Sequence, residues 1–532
     1  MAQVCIVGAG AAGLASAALL ARDGHRVDVF EQNAEVGGRI GRIDREGFRF
    51  DTGPSWYLLP EVYDHFFALM GTSTDAELDL APLDPAYTVF TDPRAAAARS
   101  VTADAAPVTI PRGLDRVLEV FDSFEAGSGG RLERHLRSAA HTKALALRLF
   151  LYNTFTSPLS VLDRSVIGSL PTVARLLTES LARRAERVVV HPRLRQILQY
   201  PAVFLGTDPR RAPAIYHLMS SLDLDDGVDY PMGGFRTIVD ALTRVAERAG
   251  ARIRTSAEVE EIETQAPEGG RPRVTGVRWS DADGRRRRTP AEIVVSAADL
   301  HHTETRLLDP ALRGHSDAWW SRVTSGPGAV LVLLGVTGGL PRLPHHSLLF
   351  TPDWSENFDA IFGPHTGVPH PASLYVCRPS ATDPSVAPPG CENLFVLVPV
   401  PADAGLGAGG PDGTGDPLIE RTADRAIAQI AAWADIPDLA ERIVVRHTIG
   451  PTDFASDYHS WLGGMLGPAH TLRQSAMFRA QNRSRTVDGL YFAGATTAPG
   501  VGVPMCLISA EVVLKHIRGD SSPGPLPVGD DV

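Results

Sequence analysis

The sequence predicts an α/β protein that joins a parallel, Rossmann-like unit to a second region of mixed helix and strand. Three observations predict it. The chain opens "QVCIVGAGAAGLASAALLARDGHRVDVFEQ", where the apolar run Val4 to Val7 leads through glycines into an alanine-rich helix and a second apolar strand, Arg26 to Phe30. That order is a βαβ unit with parallel strands, and Gly8, Gly10 and Gly13 stand in it at GxGxxG spacing. The same alternation returns in residues 230 to 299 after a long helical stretch. At 532 residues the chain also exceeds the length, roughly 250 to 300, at which single cores stop growing, so at least two domains are expected.

Each part of the opening unit has a physical purpose. Gly8 permits a tight turn, Gly10 lets the backbone approach a pyrophosphate, and Gly13 allows the helix to pack closely on the strand. Ala9 and Ala12 complete the small-residue turn, and the helix N-terminus offers amide donors to phosphates. Glu31 follows the second strand directly, where a carboxylate accepts from ribose hydroxyls and repels a 2′-phosphate. Then comes "QNAEVGGRIGRIDREGFRFDTGPSW", whose Gly37, Gly38 and Arg39 would bring a cation and a close backbone to the same phosphates. This resembles the GG-R motif of FAD-dependent oxidoreductases of the amine oxidase and carotenoid desaturase superfamily, and the resemblance implies FAD rather than NAD. "GFRFDTGP" alternates like a strand and stops at Asp51, Thr52, Gly53 and Pro54, a turn that the resemblance places beside the flavin.

The middle of the chain differs. Residues 78 to 120 carry short strand and turn signals, "YTVFTDP" and "APVTIPRGLDRVLEVF", and helical patterning runs from about 131 to 198. Residues 131 to 195 hold twelve Lys or Arg against four Asp or Glu, inside a molecule of net charge −11. Cations mixed with leucine, phenylalanine and tyrosine suit an anionic headgroup layer. They equally suit a solvated helical face that packs its leucines inward. Beyond "YPMGG", an amphipathic helix carries Ile238, Leu242, Val245 and Ala249 on one stripe, and a strand follows with Val259 and Ile262. A hairpin turns at Asp283-Gly284, with Arg285 to Arg288 at its solvated end. "AEIVVSAAD" resembles the segment that returns a flavoprotein chain to its FAD domain, and the resemblance sets Val259 against the adenine.

Composition narrows the partners. The acidic balance disfavours nucleic acid, and none is expected as a partner. Cys5, Cys377, Cys391 and Cys506 lie far apart without zinc-type spacing, so neither a disulfide framework nor a metal site is expected, and a reducing cytoplasm fits. The longest apolar runs, such as "AVLVLLGV" at 329 to 336, are much too short to span a bilayer, which leaves a soluble or surface-bound protein.

The stretches "YPMGGFRTIVDAL", "EIVVSAADLHHT", "LPHHSLLFTPDW", "SLYVCRPSATDPSVAPPGCENLFVLVPVP" and "DFASDYHSWLGGMLGPAHTLRQSAMFRAQNRS" resemble the bacterial and fungal phytoene desaturases, from about residue 3 to 518. The resemblance implies a Rossmann-like FAD-binding domain assembled from residues 1–77, 229–300 and 481–518. Residues 78–228, with a helical membrane-facing part, and 301–480 form an α+β substrate region, and 519–532 a flexible tail. It implies desaturation of phytoene towards neurosporene and lycopene, with hydride passing to flavin and then electrons to a quinone or oxygen. The enzyme would be cytoplasmic, peripheral to the membrane surface, and fed with a hydrophobic carotenoid. Other outcomes on the same fold are desaturation of a modified carotenoid, ketolation, isomerisation, amine oxidation, or a prenyl-lipid escort without enzymatic activity.

Near the C-terminus, "YFAGATTAPGVGVPM" resembles the family's glycine-rich turn GAGTHPGxGVPG, whose backbone meets the flavin's pyrophosphate and ring edge. Gly494, Ala495, Thr497, Pro499, Gly500, Gly502, Val503 and Pro504 match it, whereas Thr496, Ala498 and Met505 depart from it. No GxSxG, HExxH or CxxC is present, in keeping with chemistry that needs no protein nucleophile. His301, His302, His345, His346, Asp457, His459 and Trp461 are the polar positions considered for acid or base work, and the sequence assigns none of them.

Overall fold

A computed structural model describes residues 1–93, 106–156 and 174–529. Part of the basic stretch, 157–173, therefore lies outside the described residues. The parallel unit is a five-stranded sheet in the order Leu490–Phe492, Ile293–Ser296, Gln3–Val7, Arg26–Phe30, Arg252–Arg254. Every neighbouring pair in it is parallel, so segments distant in sequence build one sheet. Its central strands are buried on both faces, which is why they read as continuous apolar runs. One face packs the helices Ala11–Arg22, Arg236–Arg248 and Val503–Arg518 through Leu14, Leu242, Val245, Ile508 and Val512. The other packs an antiparallel sheet, Glu258–Gln265, Arg273–Ser280 and Arg286–Pro290, through Cys5, Phe30, Val277 and Trp279. The arginine run at the hairpin end is exposed and ion-paired with Asp281, Asp283, Glu260 and Glu263.

The second region is organised by a seven-stranded sheet ordered Ile443–Ile449, Gly328–Thr337, Cys391–Val400, Leu374–Cys377, His346–Phe350, Tyr87–Thr91, Val108–Ile110. Its pairs are antiparallel except that His346–Phe350 runs parallel to Tyr87–Thr91. Side chains alternate between its faces. Val330, Val332, Val376, Val396 and Val398 pack with the helix Pro417–Trp433, whereas Leu331, Tyr375, Phe395 and Leu397 line a large cavity on the opposite face.

Three sequence expectations change. Residues 114–120, the end of the 78–120 stretch read as strand and turn signals, belong to the helix Leu114–Phe124, because Val117 and Phe121 recur at helical spacing and bury together after a break at Gly113 (φ +106). The described part of the 131–195 segment turns its leucines inward. Leu132, Leu136, Leu149 and Leu194 are buried, and the cations pair with acids of the same molecule, as in Arg131–Glu125, Lys143–Asp226 and Arg187–Glu179. Its one exposed large apolar side chain among the described residues is Val190. The expected tail is anchored as far as Leu526, whose N–H donates to Glu511 Oε1 at 2.6 Å while Lys515 Nζ donates to the Ser522 and Gly524 carbonyls. Among the described residues no helix is long and apolar enough to cross a membrane.

Candidate active site

Three glycine-bearing loops converge on the cavity at the carboxyl end of the parallel sheet. In the first, Gly8 (φ +92) turns the chain out of its strand and donates its N–H to the Phe30 carbonyl at 2.7 Å. The helix then begins with Gly10 as its N-cap and no capping side chain, which leaves first-turn amides free for an anion. A Cβ at Gly13 would sit 1.9 Å from the Gly8 carbonyl oxygen, so only glycine permits this helix–turn contact. Glu31 is buried at the cavity wall, with Oε2 accepting from Ala9 N–H at 2.8 Å and Oε1 from Asn33 N–H at 3.0 Å. Each carboxylate oxygen keeps a lone pair for a hydroxyl. Backbone bonds to Arg254 and Ala257 bracket Glu31 and carry Ala257 and Val259 to the same wall.

The second loop lies against the first. Gly37 donates its N–H to the Ala9 carbonyl at 2.9 Å, and a Cβ at Gly38 would come 3.4 Å from the Gly10 Cα. Arg39 reaches the cavity, gives one N–H to Ser460 Oγ at 2.6 Å, and keeps a buried Nε with no partner among the described residues. Thr52, Gly53 and Pro54 line the cavity behind it, and a Cβ at Gly53 would stand 1.9 Å from the Arg39 carbonyl oxygen. Asp51 does not line the cavity. Its carboxylate accepts from Phe235 N–H at 2.8 Å and Arg236 N–H at 3.4 Å, tying a helix start to this turn, and burial pushes it up to about 6.

The third loop is the C-terminal turn. Gly494, Ala495, Pro499, Gly502 and Val503 line the cavity, as do Ala498, Pro504 and Met505. Thr497 and Gly500 do not. The Thr497 hydroxyl donates to the Gly494 carbonyl, and a Cβ at Gly500 would lie 2.1 Å from His470 Nε2. Ala9 and Gly13 also sit behind the lining, in contact with the strand and turn.

Sequence reasoning missed the residues that hold this turn. Arg479 is buried and gives N–H bonds to the carbonyls of Ala495 at 2.6 Å and Thr497 at 2.9 Å. Asn482 donates to the Ala498 carbonyl and to Ser509 Oγ, while Ser509 accepts from Gly494 N–H. Only their nearness to the glycine turn distinguishes them in sequence. A buried arginine reads like a surface one.

Beyond the loops the cavity, about 680 Å³, continues along an apolar wall that includes Trp56, Tyr200, Phe204, Phe350 and Leu397. His302 and His459 stack at 3.9 Å between ring centroids on this wall, and burial lowers His302 to about 3, which keeps it neutral. Asp457 lies on the wall too, its carbonyl accepting from Gln32 and Asn33. His301 turns away to rest on Trp320 and Trp461. His346 stacks on Trp56 at 4.5 Å, and its Nδ1 bonds the Tyr375 hydroxyl at 2.7 Å. The fold brings donor atoms of His345, His346 and Cys377 within 4.8 Å of one another, company that sequence spacing did not suggest. Burial holds that thiol protonated, its affinity for the proton raised well above normal.

The residues present fit FAD. Free helix amides and the unpartnered Arg39 Nε suit a pyrophosphate, Glu31 suits a ribose, and the Ala257–Val259 backbone suits a base. Comparisons with known proteins agree. The model of the flavin containing amine oxidoreductase family matches residues 11–513. The chain is 38% identical over 518 residues to a carotenoid 3,4-desaturase of Haloarcula japonica, covering 97% of this chain and 98% of that protein. It is 31% identical over 538 residues to a phytoene desaturase of Fusarium fujikuroi, covering 98% and 90%. In fold it is similar to a solved oxidoreductase from Methanosarcina mazei, with TM-score 0.60 and 17% identity, covering 96% and 100%.

Proposed function

The chain belongs to the flavin containing amine oxidoreductases and, within them, to the carotenoid desaturases, FAD-dependent oxidoreductases acting on CH–CH bonds; from that premise we propose that it introduces double bonds into phytoene. The reading rests on one observation: a single cavity joins the three glycine loops to a long apolar wall, so a polyene held along that wall would share one space with a flavin held by the loops. Bound FAD supplies the acceptor for a hydride from an allylic carbon. Gly10, Gly37, Arg39 and the start of the helix Val503–Arg518 would hold the cofactor, and Glu31 would fix its ribose. The apolar wall excludes water and holds the chain in line, which is most of what this chemistry asks of a protein. No charged nucleophile is needed.

Substrate and product are insoluble hydrocarbons, so entry from a bilayer is part of the proposal. Leu472, Met477 and Phe478 line the cavity and are also exposed, Phe478 at 64%. Exposed Arg473, Arg483 and Arg485 flank them. We place the membrane-facing mouth there rather than on 131–195, with a quinone or oxygen accepting electrons afterwards.

Desaturation of an already modified carotenoid is a second reading, favoured by the higher identity to a carotenoid 3,4-desaturase. Expression in a bacterium that accumulates phytoene, with pigments separated by chromatography, decides between them. Neurosporene or lycopene is expected. Unchanged phytoene, with conversion when lycopene-type pigments are supplied instead, would replace the first reading by the second.

A further inference from the structure

A carboxyl group is buried behind the hydrocarbon wall without a cation to justify it. Asp223 lies in the short helix Ser220–Leu224, is 4% exposed, and has Leu222 and Leu224 buried on either side. Its Oδ2 accepts from the Tyr200 hydroxyl at 2.5 Å and from the Tyr87 hydroxyl at 3.0 Å. Among the described residues its Oδ1 has no hydrogen-bond partner and no Lys or Arg pairs with it. Tyr200 and Tyr87 are the titratable groups that face it. Tyr200 itself lines the cavity, packed between Trp56 and Phe204 with ring centroids at 6.1 and 5.6 Å. The arrangement runs from a buried acid with one free oxygen, through the Tyr200 hydroxyl, to a tyrosine ring that lines the space assigned to the substrate.

Removing two hydrogens from neighbouring carbons needs a place for the proton as well as the hydride. We propose that Tyr200 takes the proton released from the substrate chain, with Asp223 receiving the Tyr200 hydrogen behind it. A C–H bond breaks, and its electron pair becomes the π bond to the carbon that has lost its hydride to the oxidised flavin. The proton goes to Tyr200 Oη, and the original hydroxyl hydrogen passes along the 2.5 Å bond to Asp223 Oδ2. Tyrosine is regenerated, and Asp223 becomes a neutral acid, the form that its burial favours. Burial already pushes Asp223 up to about 7, against the lowering effect of its two tyrosine bonds. An acid so placed can give up its proton between turnovers near neutral pH. Tyr200 is the catalytic residue here, and Asp223 positions and drives it. The proposal rests on the reading of the function given above.

The test is the pH dependence of kcat for the FAD-loaded protein on its carotenoid substrate in liposomes, alongside an infrared titration of the resting protein without substrate. Wild type should lose about tenfold in kcat per unit as pH falls below about 7. Asp223→Asn should lose about a hundredfold or more in kcat at neutral pH with KM little changed, and the acid limb with it. Asp223→Glu should recover part of the rate and the limb, and Tyr200→Phe should resemble Asp223→Asn. The infrared spectrum should show a buried carboxylic acid band that grows below about pH 7 and is missing from Asp223→Asn. Wild-type rate and pH profile in Asp223→Asn or Tyr200→Phe would overturn the proposal while leaving the function standing. Wild type inert on every carotenoid offered would overturn the function and the proton route together, and the infrared band would still report whether the acid titrates.

Discussion

Main chain forms one wall of the cavity and side chains form the other. Around Gly8, Gly37 and Gly494 the surface consists of amides and carbonyls held at fixed angles, with φ values of +92, +122 and +116 that side chains disfavour. Around Trp56, Tyr200 and Phe350 it consists of interlocked rings, ordinary in backbone and particular only in packing. A cofactor with phosphates is recognised by donors at exact places, and the first wall has no room for a Cβ at Gly13 or Gly53, where it would stand 1.9 Å from a carbonyl oxygen. A hydrocarbon is recognised by shape, so the second tolerates exchange of similar volumes.

The sharpest way to break the comparison is one methyl group on each wall's terms. Gly53→Ala puts a Cβ 1.9 Å from the Arg39 carbonyl oxygen and must displace the Arg39 loop. Flavin absorbance of the purified protein should fall to nearly nothing. Phe204→Leu, which removes a ring from the other wall, should keep full flavin content and alter only the product pattern. Equal flavin loss from both would mean that the walls are not independent.

Glu31→Gln probes the first wall more gently. Glu31 accepts from two backbone N–H groups, and an amide must point its NH₂ at one of them. Bonds to a charged acceptor contribute about 1.5–3 kcal/mol, so the Kd for FAD should rise roughly ten- to a hundredfold. Equilibrium dialysis of flavin-free protein measures it, and an unchanged Kd would remove Glu31 from the ribose.

The same contrast explains what could be read in sequence. Backbone recognition forces glycine at fixed spacing, so Gly8, Gly10, Gly13, Gly37 and Gly38 announce themselves, and the second half of the cradle at 494–504 carries a similar signature. Assembly of the parallel sheet from distant segments was expected from the family resemblance rather than from local pattern, because Arg252–Arg254 reads RIR and Ile293–Ser296 has no glycine beside it. The motif spacing did not separate Thr497 and Gly500, which face into the protein, from neighbours that face the cavity, because a turn alternates its direction within one residue. Asp223, Arg479 and the apolar wall left no spacing at all. Their partners are tyrosine hydroxyls, backbone carbonyls or apolar side chains of the commonest kinds, at separations that follow no motif, and only the fold brings them together.

The smallest expected effect concerns the edge where the second wall meets solvent. Two regions compete for the membrane: the helix Ser128–Ala146, with exposed Arg134 and Arg137, and the cavity mouth, with exposed Phe478 and Met477 beside Arg483 and Arg485. The helix offers cations but keeps its leucines inside, whereas the mouth offers cations and apolar side chains on one surface. Each arginine near an anionic surface contributes about 1 kcal/mol, so reversing two of them should weaken binding by more than tenfold in either place if that place touches lipid. Flotation with phosphatidylserine liposomes should therefore fall for Arg483→Glu with Arg485→Glu, and again for Phe478→Ser. It should stay near wild type for Arg134→Glu with Arg137→Glu. The opposite pattern would return the membrane contact to the helical segment, and the open end of the hydrocarbon wall would then have to be sought beside the helix.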